Sequence, residues 1–396
     1  MRRLFNQRVG CLAVLIIVVV ASVGLVYQWA SNPAMIAQQI AGMGAPTATL
    51  PPLHRIPTSV LAATSPAPKP CSAKQRDFEM GIGFPQWYAE GYGGGDNEWL
   101  LGLPEMRQQT GSCWVEMPVL LYQSSLTSTT IEPGNSTPLV SAFSYGIQLA
   151  HLEDLHVFVT ALLQVDGPQP WAGAIQFPTY AQEQQWFQSY WQGFKPYIQA
   201  AARAGAEQFA IGTEEEWLQE HAPDSLWNGL IENIHSIFPG TLTYDMNWSA
   251  LPQQPRAWMR NPLLKMVGIS AYLPQSPTRE RLNQQQITHL WKTTALPELD
   301  TFAQRLGRPV FISEIGYRDT ADALYSPWKS VSSAPIDRQE QMLACSAALG
   351  SLIPDTYIYG VFFWGWSSTG SFDLVGSQAA AAIRSYYQSW QVPPQA

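Results

Sequence analysis

Short apolar segments alternate with longer amphipathic segments along most of the chain, and this alternation limits the possible folds more than any other feature. The apolar segments, such as QFAIG and PVFISEI, are almost entirely nonpolar, which is typical of strands covered on both faces. Eight such segments over about 320 residues predict an α/β protein whose parallel strands close into a (β/α)8 TIM barrel. The predicted strands are 78–84, 113–121, 156–164, 208–212, 241–247, 266–272, 309–315 and 359–366.

Helical patterns follow these strands, and a doubly wound open sheet is the alternative arrangement for the same alternation. An open sheet that binds a dinucleotide would have a GxGxxG turn after its first strand, and this sequence has none there. The closed barrel is therefore favoured. One predicted helix begins near residue 97, and the others cover 139–152, 182–204, 226–238, 296–306, 338–352 and 379–390.

The first 75 residues differ in composition from the rest of the chain. Residues 1–30 contain three arginines and then an apolar run of about 20 residues, which is long enough to span a bilayer. The positive flank predicts that the remainder faces outward, as the extracytoplasmic part of a single-pass membrane protein. A retained signal anchor is favoured over a cleaved signal peptide, whose apolar region is shorter. Residues 31–75 are rich in Pro, Ala and Thr and predict a linker, which leaves 76–396 as the folded domain.

Charge and residue counts exclude several classes of function. The net charge of −8 and the lack of a basic stripe argue against binding of nucleic acid. Neither a CxxC pair nor a Cys/His cluster is present, so the sequence predicts no metal site and no cofactor. The chain has 16 Trp, whose flat faces suit sugar rings, although we expect more than half of them to pack in the core.

The pairing of the four cysteines indicates whether the chain lies in an oxidising compartment. Cys71 and Cys113 fall near the N-terminal ends of two neighbouring predicted strands. The sequence leaves open whether they form a disulfide or stay as two free thiols. Cys345 lies in a helical pattern and is predicted to be a buried thiol, while Cys11 falls within the apolar run.

Acidic residues occur at two of the predicted strand ends, where the active sites of such barrels lie. The fourth strand runs into Glu214, Glu215 and Glu216, and the seventh contains Glu314. Two carboxylates across one pocket are what glycosidic hydrolysis needs, so Glu214 and Glu314 are the catalytic candidates. Glu215 and Glu216 are expected to lie at a solvated helix start, where the helix dipole favours acidic residues. For Glu314 the alternative is a buried ion pair with Arg318.

Several segments resemble glycoside hydrolase family 113, a β-mannanase family of the retaining clan whose catalytic glutamates end strands 4 and 7. These segments are IGTEEEW, VGISAYLP, PVFISEIGYRD and GVFFWGW, at residues 211–217, 267–274, 309–319 and 360–366. Residues 127–138, 165–175 and 243–249 are also similar, so the resemblance covers about 78 to 390.

The resemblance implies a role for each matching residue. It makes Glu214 the general acid/base, Glu314 the nucleophile, and Tyr272 a hydrogen-bond partner of the nucleophile. The implied reaction is double-displacement hydrolysis of a β-1,4-linked polysaccharide, and β-mannan is the substrate that the resemblance favours. The implied substrate-binding residues lie at or after strand ends: Asn247, Trp248, Trp171, either Trp364 or Trp366 beneath the sugar, and Gln164 and Asp166 as weaker candidates.

The chain departs from the family after the third strand. The family tends to have Lys-Pro-His-Val-Asp where this chain has LLQVD at 162–166, a difference that bears on substrate choice more than on reaction type. Three alternatives remain open: a β-glucanase of the same clan, a membrane-tethered carbohydrate-binding protein without catalysis, and a metal-dependent hydrolase, which the absence of His at strand ends disfavours.

Overall fold

The structure, a computed structural model, describes residue 71 and residues 78–93, 97–167, 171–367 and 370–390. The predicted anchor and nearly all of the predicted linker lie outside the described residues. Among the helices of the described part, none has the length and apolar character needed to cross a bilayer.

Eight parallel strands form a closed barrel, which confirms the TIM barrel and rules out the open sheet. The strands pair in chain order, and β1 pairs with both β2 and β9 to close the ring. The two-residue β3 lies outside the ring and pairs antiparallel with the end of β2. The strands are β1 (Glu79–Gly83), β2 (Trp114–Gln123), β3 (Ile131–Glu132), β4 (His156–Val165), β5 (Gln208–Thr213), β6 (Thr241–Asn247), β7 (Leu264–Ser270), β8 (Val310–Ile315) and β9 (Ile358–Trp364).

Helices connect most of the successive barrel strands and cover the outside of the ring, whereas β6 and β7 are joined by two 3-10 turns, Trp248–Ala250 and Ala257–Arg260. The longest is α3, which covers Tyr180–Ala204. It is preceded by Thr179, whose side chain accepts a hydrogen bond from the Gln182 amide, and it is followed by Gly205, whose φ of 85° favours glycine. The helices are α1 (Glu98–Thr110), α2 (Val140–Leu152), α3 (Tyr180–Ala204), α4 (Glu216–His221), α5 (Asp224–His235), α6 (Gln284–Leu290), α7 (Leu296–Leu306), α8 (Arg338–Leu352) and α9 (Gln378–Trp390). A π-helical turn, Trp291–Ala295, joins α6 to α7.

Two predicted strands extend two residues past the C-terminal ends of the observed ones. The sixth was predicted to end at Tyr272 and the eighth at Trp366, but β7 ends at Ser270 and β9 at Trp364. The residues just beyond β7 are buried although they form no ladder; Leu273, for example, is 6% exposed. Hydrophobicity therefore extends past the strand end and does not mark it.

Aromatic side chains fill part of the barrel interior. The rings of Phe158, Phe311 and Phe362 lie 5.0–6.0 Å apart. Strands β4 and β8 are not neighbours, so the contact between Phe158 and Phe311 crosses the interior. A side chain at Gly81 would come within 2.1 Å of the Phe362 ring, which explains why glycine occupies this position in β1.

Register irregularities in β5 and β8 determine where the two candidate glutamates point. Along β8, Phe311 and Glu314 are three residues apart, but their partners in β7, Gly268 and Ser270, are only two apart. The extra residue is a β-bulge, and it shifts the in–out alternation by one position. Phe311 and Glu314 consequently both face the interior. A similar bulge lies between residues 210 and 213 of β5, just before Glu214.

A disulfide joins Cys71 to Cys113, which decides between the two possibilities left by the sequence. Their Cα atoms lie 5.4 Å apart, a usual separation for a disulfide. Cys345 is a buried free thiol in α8, as predicted.

Candidate active site

An open pocket of about 1180 Å³ lies at the C-terminal end of the barrel and contains both Glu214 and Glu314. Loops after most of the barrel strands contribute to its walls, as expected for this fold. Of the residues implied by the family resemblance, all but Trp366 line it: Gln164, Asp166, Trp171, Glu214, Asn247, Trp248, Tyr272, Glu314 and Trp364.

Glu214 has an unusual backbone conformation. Its φ is 61°, in the left-handed region that nonglycine residues seldom adopt and that is strained for them. The main chain is held on both sides, because the Glu214 amide donates to the Asp245 carbonyl at 2.8 Å and its carbonyl accepts from the Glu216 amide at 2.8 Å. The side chain accepts a hydrogen bond from Trp171 Nε1 at 3.2 Å. The turn thus directs the carboxyl group into the pocket.

Glu314 extends into the same pocket from β8. The Tyr272 hydroxyl donates a hydrogen bond to Glu314 Oε1, the contact that the resemblance implied. The backbone of the two residues is also linked, since the Ala271 amide donates to the Glu314 carbonyl at 2.7 Å. Because β7 is the neighbour of β8, the residues just after β7 bring Tyr272 next to Glu314.

The two carboxyl groups affect each other's ionisation. Burial raises the pKa of Glu314 to about 7, the negative charge of Glu214 adds to this, and the Tyr272 hydrogen bond opposes it. Burial also raises the pKa of Glu214, against the hydrogen bond from Trp171. Because the two groups interact, the pair loses its protons in two steps, and neither step belongs to one residue alone. The pair can therefore hold one proton near neutral pH, as acid catalysis requires.

Two further buried carboxyl groups lie near the pair and were missed in the sequence. Burial and the charge of Glu314 raise the pKa of both Glu116 and Asp245 well above their ordinary values. Glu116 accepts from the Thr160 hydroxyl at 2.9 Å, and Asp245 lies so close to Gly268 that a Cβ there would be 2.3 Å from Oδ1. Both are acidic residues within apolar strands, the pattern that identified Glu314, so this pattern could have found them.

The expectation that Glu215 lies at a solvated helix start is wrong. Its side chain has no exposed surface, and a Cβ added to Gly212 would be 2.6 Å from Glu215 Oε2. Burial raises the pKa of Glu215 to about 8. The reason is that only Glu214 and Glu215 separate β5 from α4, and this short connection turns Glu215 inward. Glu216 is half-buried and accepts a hydrogen bond from the Ser249 hydroxyl.

The alternative of an ion pair between Glu314 and Arg318 is also wrong. Arg318 is fully buried, but its Nη2 lies 3.0 Å from Asp322 Oδ1 and forms the ion pair there. Glu314 is consequently left with Tyr272 as its hydrogen-bond donor and remains directed at the pocket.

Tryptophan rings line the pocket on several sides. Trp364 faces the pocket and its ring lies 6.2 Å from that of Trp87, whereas Trp366 is 2% exposed and packs toward Gly102 of α1. Trp366 is therefore not placed to contact a substrate, because β9 ends at Trp364 and its alternation does not extend further. Trp87 and Trp328 also line the pocket and were not predicted. Trp87 could have been found, since it follows the first strand closely.

The family profile described as Glycoside Hydrolase Family 113 matches residues 100–388. The chain belongs to this family. It is accordingly a glycoside hydrolase, as the resemblance of its strand ends implied. A comparison with curated protein sequences finds no match.

Solved structures of mannanases share this fold. A GH113 β-1,4-mannanase in a complex is 20% identical with a TM-score of 0.67, and the match covers 79% of this chain and 100% of that one. The GH113 β-mannanase from Alicyclobacillus acidocaldarius in complex with ManMIm is 21% identical, covers 81% and 100%, and also has a TM-score of 0.67. A β-glucuronidase from Ruminococcus gnavus in complex with D-glucuronic acid is 12% identical, with a TM-score of 0.52 and coverage of 79% and 49%. At these identities the likeness establishes the fold.

Proposed function

We propose that this glycoside hydrolase cleaves β-1,4-linked mannan with retention of configuration, using Glu214 and Glu314. The observation that carries the proposal is the placement of both carboxyl groups in one pocket, with Tyr272 donating to Glu314. A retaining glycosidase needs one carboxylate that attacks and one carboxylic acid that donates a proton. The hydrogen bond from Tyr272 favours the ionised form of Glu314, so Glu314 is the nucleophile and Glu214 holds the proton.

In the first step the Glu314 carboxylate attacks the anomeric carbon. The bond to the leaving oxygen breaks while Glu214 transfers its proton to that oxygen, and a glycosyl ester with Glu314 forms. The Trp171 hydrogen bond to Glu214 Oε2 keeps the donor at the side of the pocket formed by the loop after β4. This contact becomes stronger as Glu214 gains negative charge, so it also stabilises the product of proton transfer.

In the second step the ester is hydrolysed. Glu214, now ionised, removes a proton from a water molecule whose oxygen attacks the anomeric carbon, and the bond to Glu314 breaks. This returns Glu314 to its carboxylate form and Glu214 to its acid form. Burial raises the pKa of both groups, to about 7 for Glu314, so the pair can hold the one proton that this exchange needs.

We propose mannan as the substrate and cleavage within the chain. The mannanase names of the structural neighbours support the sugar. Internal cleavage is supported by the pocket walls, because Trp87 follows β1 and Trp248 follows β6, on opposite sides of an eight-stranded ring. Gln164 lines the pocket where the family tends to have His, so it contributes an amide that does not titrate.

We also propose that residues 1–30 hold the enzyme in a membrane and that residues 31–75 separate it from the bilayer. The proposal rests on the apolar run and its positive flank. An extracytoplasmic location also suits the Cys71–Cys113 disulfide, since disulfides persist in oxidising compartments.

Hydrolysis of β-1,4-mannan by the full chain in detergent, beside its Glu314→Gln and Glu214→Gln variants, tests the function. We expect manno-oligosaccharides from the parent and none from Glu314→Gln. We expect Glu214→Gln to recover activity with azide on a substrate that has a good leaving group, because azide needs no general base. The anomer of the product that NMR detects first shows whether the configuration at the anomeric carbon is retained. Release from a β-glucan panel alone would favour the glucanase, and binding of mannan without release would favour the noncatalytic protein.

A further inference from the structure

The loop between β8 and α8 carries an exposed indole toward the pocket. Trp328 is 49% exposed and lines the pocket together with Ser330 of the same loop. Its ring centre lies 5.9 Å from that of Trp248, which follows β6, and the two planes are inclined by 36°. Two large aromatic faces thus stand next to each other at one wall of the pocket.

A buried arginine holds this loop on both sides of Trp328. Arg318 Nη1 donates to the carbonyl of Ser326 at 2.9 Å and also to the carbonyl of Lys329. Trp328 lies between these two carbonyl groups in the sequence. The main chain on either side of the indole is therefore fixed by one guanidinium nitrogen.

The other side of the guanidinium is satisfied as well. Arg318 Nη2 donates to Asp322 Oδ1 at 3.0 Å and to the Asp322 carbonyl at 3.2 Å. Asp322 in turn accepts from the Ser332 hydroxyl at 2.8 Å, and the Ser371 hydroxyl donates to the Ser330 carbonyl at 3.2 Å. A buried charge is unfavourable unless it is paired in this way.

We propose that Trp328 and Trp248 form a binding site for sugar units beyond the cleavage point, and that Arg318 is the residue that positions Trp328. This proposal rests on the proposed function, in which the substrate is a β-1,4-linked hexose chain. The C–H faces of such rings pack on indole faces, and a prepositioned indole binds them without ordering the loop first. The site lies at the wall formed by the loops after β6 and β8; Trp248 follows β6, the strand opposite β1, and Trp87 follows β1.

The first test compares hydrolysis of manno-oligosaccharides of two to six units by the parent, Trp328→Ala and Arg318→Lys. We expect Trp328→Ala to lower kcat/KM for the longest substrate by roughly 3- to 10-fold, and to lower that for the shortest cleaved substrate less. Arg318→Lys keeps the charge but loses the forked donor geometry, so the same dependence on chain length is expected. Tyr145→Ala, which removes an exposed aromatic of α2 outside the pocket, is the matched control.

The second test measures binding and does not depend on turnover. Manno- and cello-hexaose are titrated into Glu314→Gln and into Glu314→Gln/Trp328→Ala by calorimetry, and we expect weaker binding of the preferred hexaose to the second protein. If hexaose binding depends on Trp328 while the parent cleaves no sugar, the proposed catalysis fails and the binding site stands. Equal binding by the two proteins, or no binding to either, overturns the inference. Trp328 is half exposed, so its replacement tests the site even if Arg318→Lys does not fold.

Discussion

Glu215→Gln should stabilise the protein, and the gain should increase with pH. The carboxyl group of Glu215 is fully buried, and burial raises its pKa from 4.5 to about 8. In the unfolded chain this group ionises with an ordinary pKa. An acid whose folded pKa is raised contributes most to stability below its unfolded pKa, and this contribution is lost as the pH rises toward its folded pKa.

The magnitude follows from the size of the pKa shift. One pH unit corresponds to about 1.4 kcal/mol, so the shift of Glu215 corresponds to an upper limit of about 5 kcal/mol. Glutamine has nearly the same shape and does not titrate, so the variant does not lose this stability. The free energy of unfolding of Glu215→Gln should therefore diverge from that of the parent between about pH 4.5 and 8, and remain parallel above that range.

Urea unfolding followed by tryptophan fluorescence, from pH 4 to 9, measures this difference. Glu232→Gln, which makes the same change of charge at an exposed position of α5, should follow the parent within about 0.5 kcal/mol at each pH. A difference between Glu215→Gln and the parent that is constant with pH, or that falls as the pH rises, would refute the argument from burial.

Two further predictions concern the nucleophile and the disulfide. Tyr272→Phe removes the hydrogen bond that lowers the pKa of Glu314, so the acidic limb of the pH profile of kcat/KM should move to higher pH, with a loss of roughly 10- to 100-fold; an unmoved limb would contradict this role. The double replacement of Cys71 and Cys113 by Ser opens a loop of 42 residues and should lower the free energy of unfolding by about 4 kcal/mol in urea. Equal stability of the two proteins would show that the disulfide does not constrain the unfolded chain.

Much of the fold could be predicted because the relevant information is local. Strand β6 was placed at residues 241–247, where it is found, and α7 was placed at 296–306 with the same success. The apolar side of each element is covered by other elements, so the spacing of its apolar residues indicates directly whether it is a strand or a helix. The two candidate glutamates could be found because each stands at or near the end of such an apolar strand.

The residues that were misplaced depend on contacts between distant segments. Glu215 looked like a solvated helix start, but the short α4 turns it against Gly212. Trp328 gave no signal at all, because its loop has no periodicity and its position depends on the buried Arg318. Sequence reasoning evaluates each segment alone and cannot represent these contacts.

The sequence by itself determined the class of fold, the order of its elements and the two acidic strand ends, since each of these follows from the spacing of apolar and polar residues. Only the tertiary structure decided which side chains meet in the pocket. The bulge in β8 illustrates the reason: one extra residue, visible only against the register of β7, brings Glu314 to the same face as Phe311. The direction of a side chain in a barrel depends on pairing with a neighbouring strand, and pairing is a property of two segments together.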